Sequence, residues 1–146
     1  MISEQLPADL KQAMLNRDSI TVSVLRMLQS ELKNASIAKM GEASTEDDAI
    51  NVVRKEIKKR TEAAEAYHKA GNVERATAEE EESIILKAYL PAAADEEAVR
   101  VFLKEFSATL GTLEPRHRGD LIRAAKEKFG NALDGSTAAR LAGELF

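Results

Sequence analysis

Arg54, Lys55, Lys58, Lys59 and Arg60 place five cations within seven positions. Such a cluster can hold a phosphodiester backbone. It can equally be the wet side of a helix whose charges are neutralised within the same molecule. A second basic segment, PRHRGDLIRAAKEK, sets Arg116, Arg118, Arg123, Lys126 and Lys128 against Glu114, Asp120 and Glu127. Arg116, Arg123 and the two lysines can line an exposed face beside a free helix N-terminus near Gly119, a surface suited to phosphates. No aromatic residue is interleaved there, so sequence-specific reading of single strands is unsupported.

Glu79, Glu80, Glu81 and Glu82 form a run of carboxylates. Consecutive helical positions point in different directions, so the four cannot chelate one ion. Calcium loops use more varied and better spaced oxygen ligands. The histidines, His68 and His117, lie far apart and in no HExxH motif, and both read as surface residues. Cysteine is absent, which removes disulfides, thiolate zinc sites and thiol nucleophiles together. The serines form neither a GxSxG elbow nor a Ser-x-x-Lys pair. No Walker loop or GxGxxG fingerprint occurs. The residues therefore nominate no catalytic group, no metal site and no cofactor.

The elements that carry these charges are helices. Leu6, Leu10, Ala13 and Met14 mark a first helix, with Pro7 expected near its first turn. Asp18 or Ser19 caps a second, striped by Thr21, Val24, Leu25, Leu28, Leu32 and Ala35 and ended by Gly41. Thr45 opens a third, with Asp48 completing a capping box and acidic residues in the first turn. Its seam, Ile50, Val53, Ile57, Arg60, Ala64 and Tyr67, alternates three and four and shares one face. Gly71-Asn72 is the stop. A fourth helix runs from about Val73 to Tyr89, before Pro91.

A turn at Gly71-Asn72 folds the third and fourth helices into a long antiparallel hairpin. Lys58, Lys59 and Arg60 then lie beside Glu79, Glu80, Glu81 and Glu82 as structural ion pairs. Arg60, on the seam, must snorkel outward or find an acceptor. Asp95 caps a fifth helix bearing Val99, Phe102, Leu103, Phe106 and Leu110. Two shorter helices follow, around Leu121, Ile122, Ala125 and Phe129, and around Ala138, Leu141, Ala142 and Leu145. Asp134-Gly135 reads as the turn before the last, with Ser136 as a second capping option. The fold class is all-α. Residues 1–91 form an N-terminal domain of about four helices, and residues 92–146 a small C-terminal three-helix domain of modest core.

Composition bounds the partners. The net charge of −4 argues against wholesale nucleic-acid binding, so DNA is not an expected partner, although a local basic patch remains compatible. No apolar run approaches the roughly 20 residues of a membrane helix. The opening MISEQLPADL has no basic start and no apolar core, so it does not read as a secretory signal. Zero cysteine fits a cytoplasmic protein.

Five segments in order, DLKQAMLNRD (9–18), VLRML (24–28), IKKRTEAAEAYHKAG (57–71), AYLP (88–91) with its acidic cap, and LDGSTAARL (133–141), resemble the YqeY-like family. The resemblance covers essentially the whole chain. It implies an all-α protein whose C-terminal helical module is shared with the tail of the B subunit of the tRNA-dependent amidotransferase. That tail helps to hold the misacylated tRNA. The resemblance therefore implies tRNA, amidotransferase subunits or both as partners, and an association with glutamine-dependent carbon–nitrogen ligation. It supplies no catalytic residue, and the chain shows neither an amidase signature nor an ATP cradle. The family's turn carries a basic residue and glycine just before DG, where this chain has GNALDG. Three readings stay open: an accessory protein that touches RNA through Arg116, Arg118, Arg123, Lys126 and Lys128, a protein-interaction scaffold with no RNA contact, and an autonomous amidotransferase that would release ammonia from glutamine.

Overall fold

Five of the seven helices begin where a short polar side chain closes the first turn. In the computed structural model, which describes residues 1–146, Asp18 accepts from the Thr21 amide, Thr45 from Asp48, Asn72 from Arg75, Asp95 from Glu97 and Asp134 from Thr137. Each bond satisfies an amide that the helix itself leaves free. The helices are α1 (Ile2–Leu15), α2 (Ser19–Ala38), α3 (Glu46–Lys69), α4 (Val73–Lys87), α5 (Glu96–Thr109), α6 (His117–Phe129) and α7 (Gly135–Gly143). A 3₁₀ turn, Gly130–Ala132, joins the last two. There is no strand, and the protein is all-α.

The chain divides into two units, Met1–Leu90 and Pro91–Phe146. In the first, α1 to α4 pack around Leu6, Val24, Leu25, Leu28, Ile50, Val53 and Leu86. The α3–α4 hairpin is its most extensive helix pair. Gly71 makes the reversal with φ +76, a left-handed conformation that glycine adopts without a Cβ clash. The cap that opens α3 is reciprocal: Thr45 N–H donates to Asp48 Oδ2 at 2.8 Å while Asp48 N–H donates to Thr45 Oγ1 at 3.2 Å. Lys39 Nζ adds a 2.6 Å contact to Asp48. That bond, then those from Thr45, hold the Asp48 carboxyl at about 2.

Pro7 departs from its expected place. It lies inside α1 rather than in its first turn, because the helix begins at Ile2. Ile2 and Leu6 are buried in the core and fix the turn before the proline. The Ile2 N–H donates to both Glu46 carboxylate oxygens, at 3.0 and 3.2 Å, so α3 caps α1. Proline then forfeits a single bond, on an exposed stretch. α4 stops at Lys87, two residues short of expectation. Its end tightens, Tyr89 N–H reaching the Leu86 carbonyl and Leu90 N–H that of Lys87, as the chain approaches Pro91.

Tyr89 is buried and its hydroxyl donates to Asp9 Oδ2 on α1 at 2.5 Å. Burial, then the Asp9 carboxylate, push the phenol well above its usual range, so it stays a donor. Tyr89→Phe leaves a half-buried carboxylate without that donor. The expected cost is about 1.5–3 kcal/mol, the range for hydrogen bonds to charged groups. It should appear as a lower urea midpoint at unchanged slope. A midpoint equal to that of the parent would show that water replaces the phenol.

In the second unit α5, α6 and α7 surround Val99, Leu103, Leu121, Ala125, Leu133, Ala138, Leu141 and Ala142. Phe102 stacks on Phe106 and meets Phe129 edge-on, with centroids 6.0 and 5.8 Å apart. The Ala94 N–H donates to the Ala132 carbonyl at 2.9 Å, tying the entry to α5 onto the 3₁₀ turn. Arg100 joins Glu96, Glu97 and Glu144, while Arg140 bonds Glu96, closing the ends of α5 and α7 with exposed charge.

Candidate nucleic-acid interface

The two basic segments differ in how far their charges are already used. On α3, Arg60 is turned inward, its side chain 12% exposed. Its Nη1 reaches Glu56 Oε2 at 3.0 Å and the Glu56 carbonyl at 3.1 Å, and its Nε reaches Glu82 Oε2 at 3.0 Å. Glu56 is the most buried charged side chain of the set, 5% exposed, and Lys59 Nζ holds its other oxygen at 3.0 Å. Burial alone would push the Glu56 carboxyl up. The bonds from Lys59 and Arg60, with their charges, outweigh it and hold the group below its usual value. The same contact raises Lys59.

Glu82 is the only member of the acidic run that meets the basic run across the hairpin. Glu80 instead meets His68 Nε2 at 2.7 Å, nearer the turn. Glu79, Glu81 and Lys58 stand outside these pairs, since only one strip of each helix faces the other. The histidine is half exposed, as a surface residue would be. The feature missed by reading the sequence is Glu56. Its spacing to Arg60, four residues, and to Lys59, three, was a usable signal.

On α6 the buried strip is Leu121 and Ala125, flanked by Ile122 and Phe129. At about 100° per residue, Arg116, Arg123 and Lys126 fall within one arc of about 80° on the open side. Arg116, the residue before the helix, has helical backbone angles and belongs to the same face. Arg116 Nε meets Glu114 at 2.8 Å and Arg123 Nη1 meets Asp120 at 3.2 Å. Both guanidiniums remain more than two-thirds exposed, and pairs so placed contribute little in water. The Lys126 ammonium lies near Gly135, 3.8 Å from where a Cβ would stand there.

The other two predicted cations lie elsewhere. Arg118 sits on the apolar strip and reaches across α7, Nη2 donating to the Ala139 carbonyl at 3.4 Å. Gly143 makes room for it, since a Cβ there would stand 3.0 Å from Nη2. Lys128 lies on the opposite flank, its ammonium 5.8 Å from the centroid of Phe102. The helix begins at His117, two residues before the expected Gly119, with no side-chain cap. The Glu114 N–H donates to His117 Nδ1 at 3.0 Å, which assigns the ring proton to Nε2. Three of the five cations thus form one surface. No group of three or more acidic or histidine side chains is placed to hold a metal ion, and no helix is long and apolar enough to cross a membrane.

A family model described as Yqey-like protein matches residues 3–145. The chain belongs to the YqeY-like family. A relative within reach of direct comparison is the Altered inheritance of mitochondria protein 41, mitochondrial, of Clavispora lusitaniae, 34% identical over 109 residues. The match covers 70% of this chain and 63% of that protein, so this YqeY-like chain spans under two-thirds of its relative's length. The family match extends across both units, from α1 to the end of α7.

Proposed function

We propose that this YqeY-like protein is an accessory factor that contacts tRNA, alone or with amidotransferase subunits, and serves glutamine-dependent amidation without catalysing it. The supporting observation is the exposed face of Arg116, Arg123 and Lys126 on α6. Its cations are held only by exposed carboxylates or by none, unlike Arg60, whose guanidinium is consumed inside the hairpin. Phosphate contact displaces such weak pairs at little cost. The face lacks stacking rings, so it suits a backbone rather than a base sequence.

The test is tRNA binding by the full chain across a salt series, with and without amidotransferase subunits. Three phosphate contacts give a log–log salt slope of about −2.1 to −2.7, a loss of roughly 20- to 40-fold between 50 and 200 mM salt. Arg116→Glu, Arg123→Glu and Lys126→Glu should each weaken binding and flatten the slope by about one contact. Lys58→Glu, on the other basic segment, should leave it unchanged. Absence of binding at low salt under both conditions, or equal loss with Lys58→Glu, would overturn the reading.

A further inference from the structure

α1 and α2 form a second antiparallel hairpin, turning at Asn16, Arg17 and Asp18. Its outer side is an open groove in two halves that share Met14. The floor is apolar: Pro7, Leu10, Met14 and Leu15 from α1, and Val22 from α2. Met14 is 51% exposed and Leu15 69%, a large apolar surface to leave in water. The charges that line the groove are Lys11, Arg17 and Arg26, with no carboxylate among the lining residues. That is a local charge of +3 in a chain whose net charge is −4.

The neighbouring acids are committed elsewhere. Asp18 accepts from the Thr21 amide and hydroxyl, at 3.1 and 2.6 Å, and Asp9 is held by Tyr89. The other basic clusters of the chain carry carboxylates beside their cations, at Glu56 and Glu82 on the α3–α4 hairpin and at Glu114 and Asp120 on α6. The groove combines an apolar floor with three cations that make no ion pair. Arg17 also holds a left-handed backbone, φ +55, at the hairpin tip, a conformation that costs a non-glycine residue.

We propose that this groove docks an acidic amphipathic helix of a protein partner. The lining stretch of α2, Ser19 to Gln29, runs about 15 Å, the length of two to three turns of a docked helix. Apolar side chains at i, i+3 or i+4, and i+7 fill the floor, and flanking Glu or Asp meet Lys11, Arg17 and Arg26. Charge complementarity selects the acidic partner and speeds encounter. Nucleic acid is disfavoured because a phosphate backbone would use the three cations and leave the exposed apolar floor of Met14 and Leu15 unmatched. A bilayer, which also takes apolar side chains flanked by cations, is separated from a protein partner by the vesicle measurement below.

The test uses the isotopically labelled full chain and helix-stabilised peptides of about 14 residues. One set carries leucines at the stated spacing with glutamates on both flanks; the control set replaces every glutamate with lysine. The acidic set should shift amide resonances concentrated between Pro7 and Gln29, while the lysine set should not. Lys11→Glu with Arg26→Glu, and separately Met14→Ser, should weaken the acidic peptides on the order of tenfold or more. All three positions are exposed, so folding is preserved. No groove shifts with any acidic peptide up to about 1 mM, or equal binding of both sets, would overturn the proposal. So would groove shifts that follow protein concentration alone, which would assign the surface to a second copy. Vesicles containing phosphatidylserine that bind the parent but not the same variants would reassign it to a membrane.

Discussion

Arg60→Met lowers the stability of the chain by about 3 kcal/mol, the cost of stranding one member of a buried ion pair. The reason lies in Glu56. Its side chain is 5% exposed and each carboxylate oxygen has one cationic partner. Methionine fills the hydrophobic part of the arginine's space but leaves Glu56 Oε2 without a donor. Lys59 cannot substitute, because its own side chain is 55% exposed and already bound to the other oxygen. Glu82, a third exposed, simply rehydrates. The double change Glu56→Met with Arg60→Met removes the buried charge as well as its partner, and should return to within about 1 kcal/mol of the parent. Urea unfolding followed by far-ultraviolet circular dichroism measures both. An Arg60→Met protein as stable as the parent would mean that the guanidinium only snorkels, and the buried triad would be wrong.

Acid provides a second readout of the same group. The folded Glu56 carboxyl lies below its ordinary value of 4.5. A depressed carboxyl contributes stability that is fully present above the unfolded value and lost as pH falls through the folded one. The parent should therefore lose stability below about pH 4.5 more steeply than the double variant, which has no Glu56 to protonate. Equal acid sensitivity in the two would remove Glu56 from the account.

What could be read without coordinates was local. Thr45 and Asp48 are three residues apart, and their reciprocal cap follows from that spacing and helix geometry alone. Arg60 declared itself by falling on a seam of apolar residues. Its main partner did not, because the run Glu79 to Glu82 points to an acceptor across the hairpin, whereas the decisive one lies one turn back on the same helix. The α6 cations show the complementary limit. Composition counted five charges, but direction depends on which strip of α6 the core claims. Arg118 lies in line with Leu121 and Ala125 and is drawn onto α7, while Lys128 leans over Phe102. The Met14 groove was invisible for a related reason. Leu10 and Met14 read as a core stripe, yet only tertiary packing decides how much of a stripe is covered, and Met14 stays half open.

Leu121→Ala should unfold the second unit in otherwise native conditions. Leu121 is fully buried, and three of the eight residues in its core are already alanine. Beside Leu121 the fully enclosed packing rests on three leucines and Val99, and Phe102, Phe106 and Phe129 only flank it, so a close-packed interior leaves the vacated space largely unfilled. A buried Leu→Ala change costs about 2–5 kcal/mol. At roughly 0.05–0.15 kcal/mol per residue, a unit of this size holds about 3–8 kcal/mol in total. The two ranges overlap, so one side chain can remove most of the stability that α5, α6 and α7 possess. The two cores share no residue. Methyl resonances of Val99, Leu103 and Leu141 should therefore collapse toward random-coil positions, while those of Val24, Leu28 and Val53 persist. Leu121→Met, which keeps the volume, should cost under about 1.5 kcal/mol and leave both sets dispersed. Dispersed second-unit methyls in Leu121→Ala would show that the helices hold by other means. The same variant separates surface from fold in the tRNA measurement. Arg116, Arg123 and Lys126 keep their charge in it, but the helix that aligns them is lost. If binding depends on alignment rather than on charge count, Leu121→Ala must weaken tRNA binding as severely as reversing the three cations does.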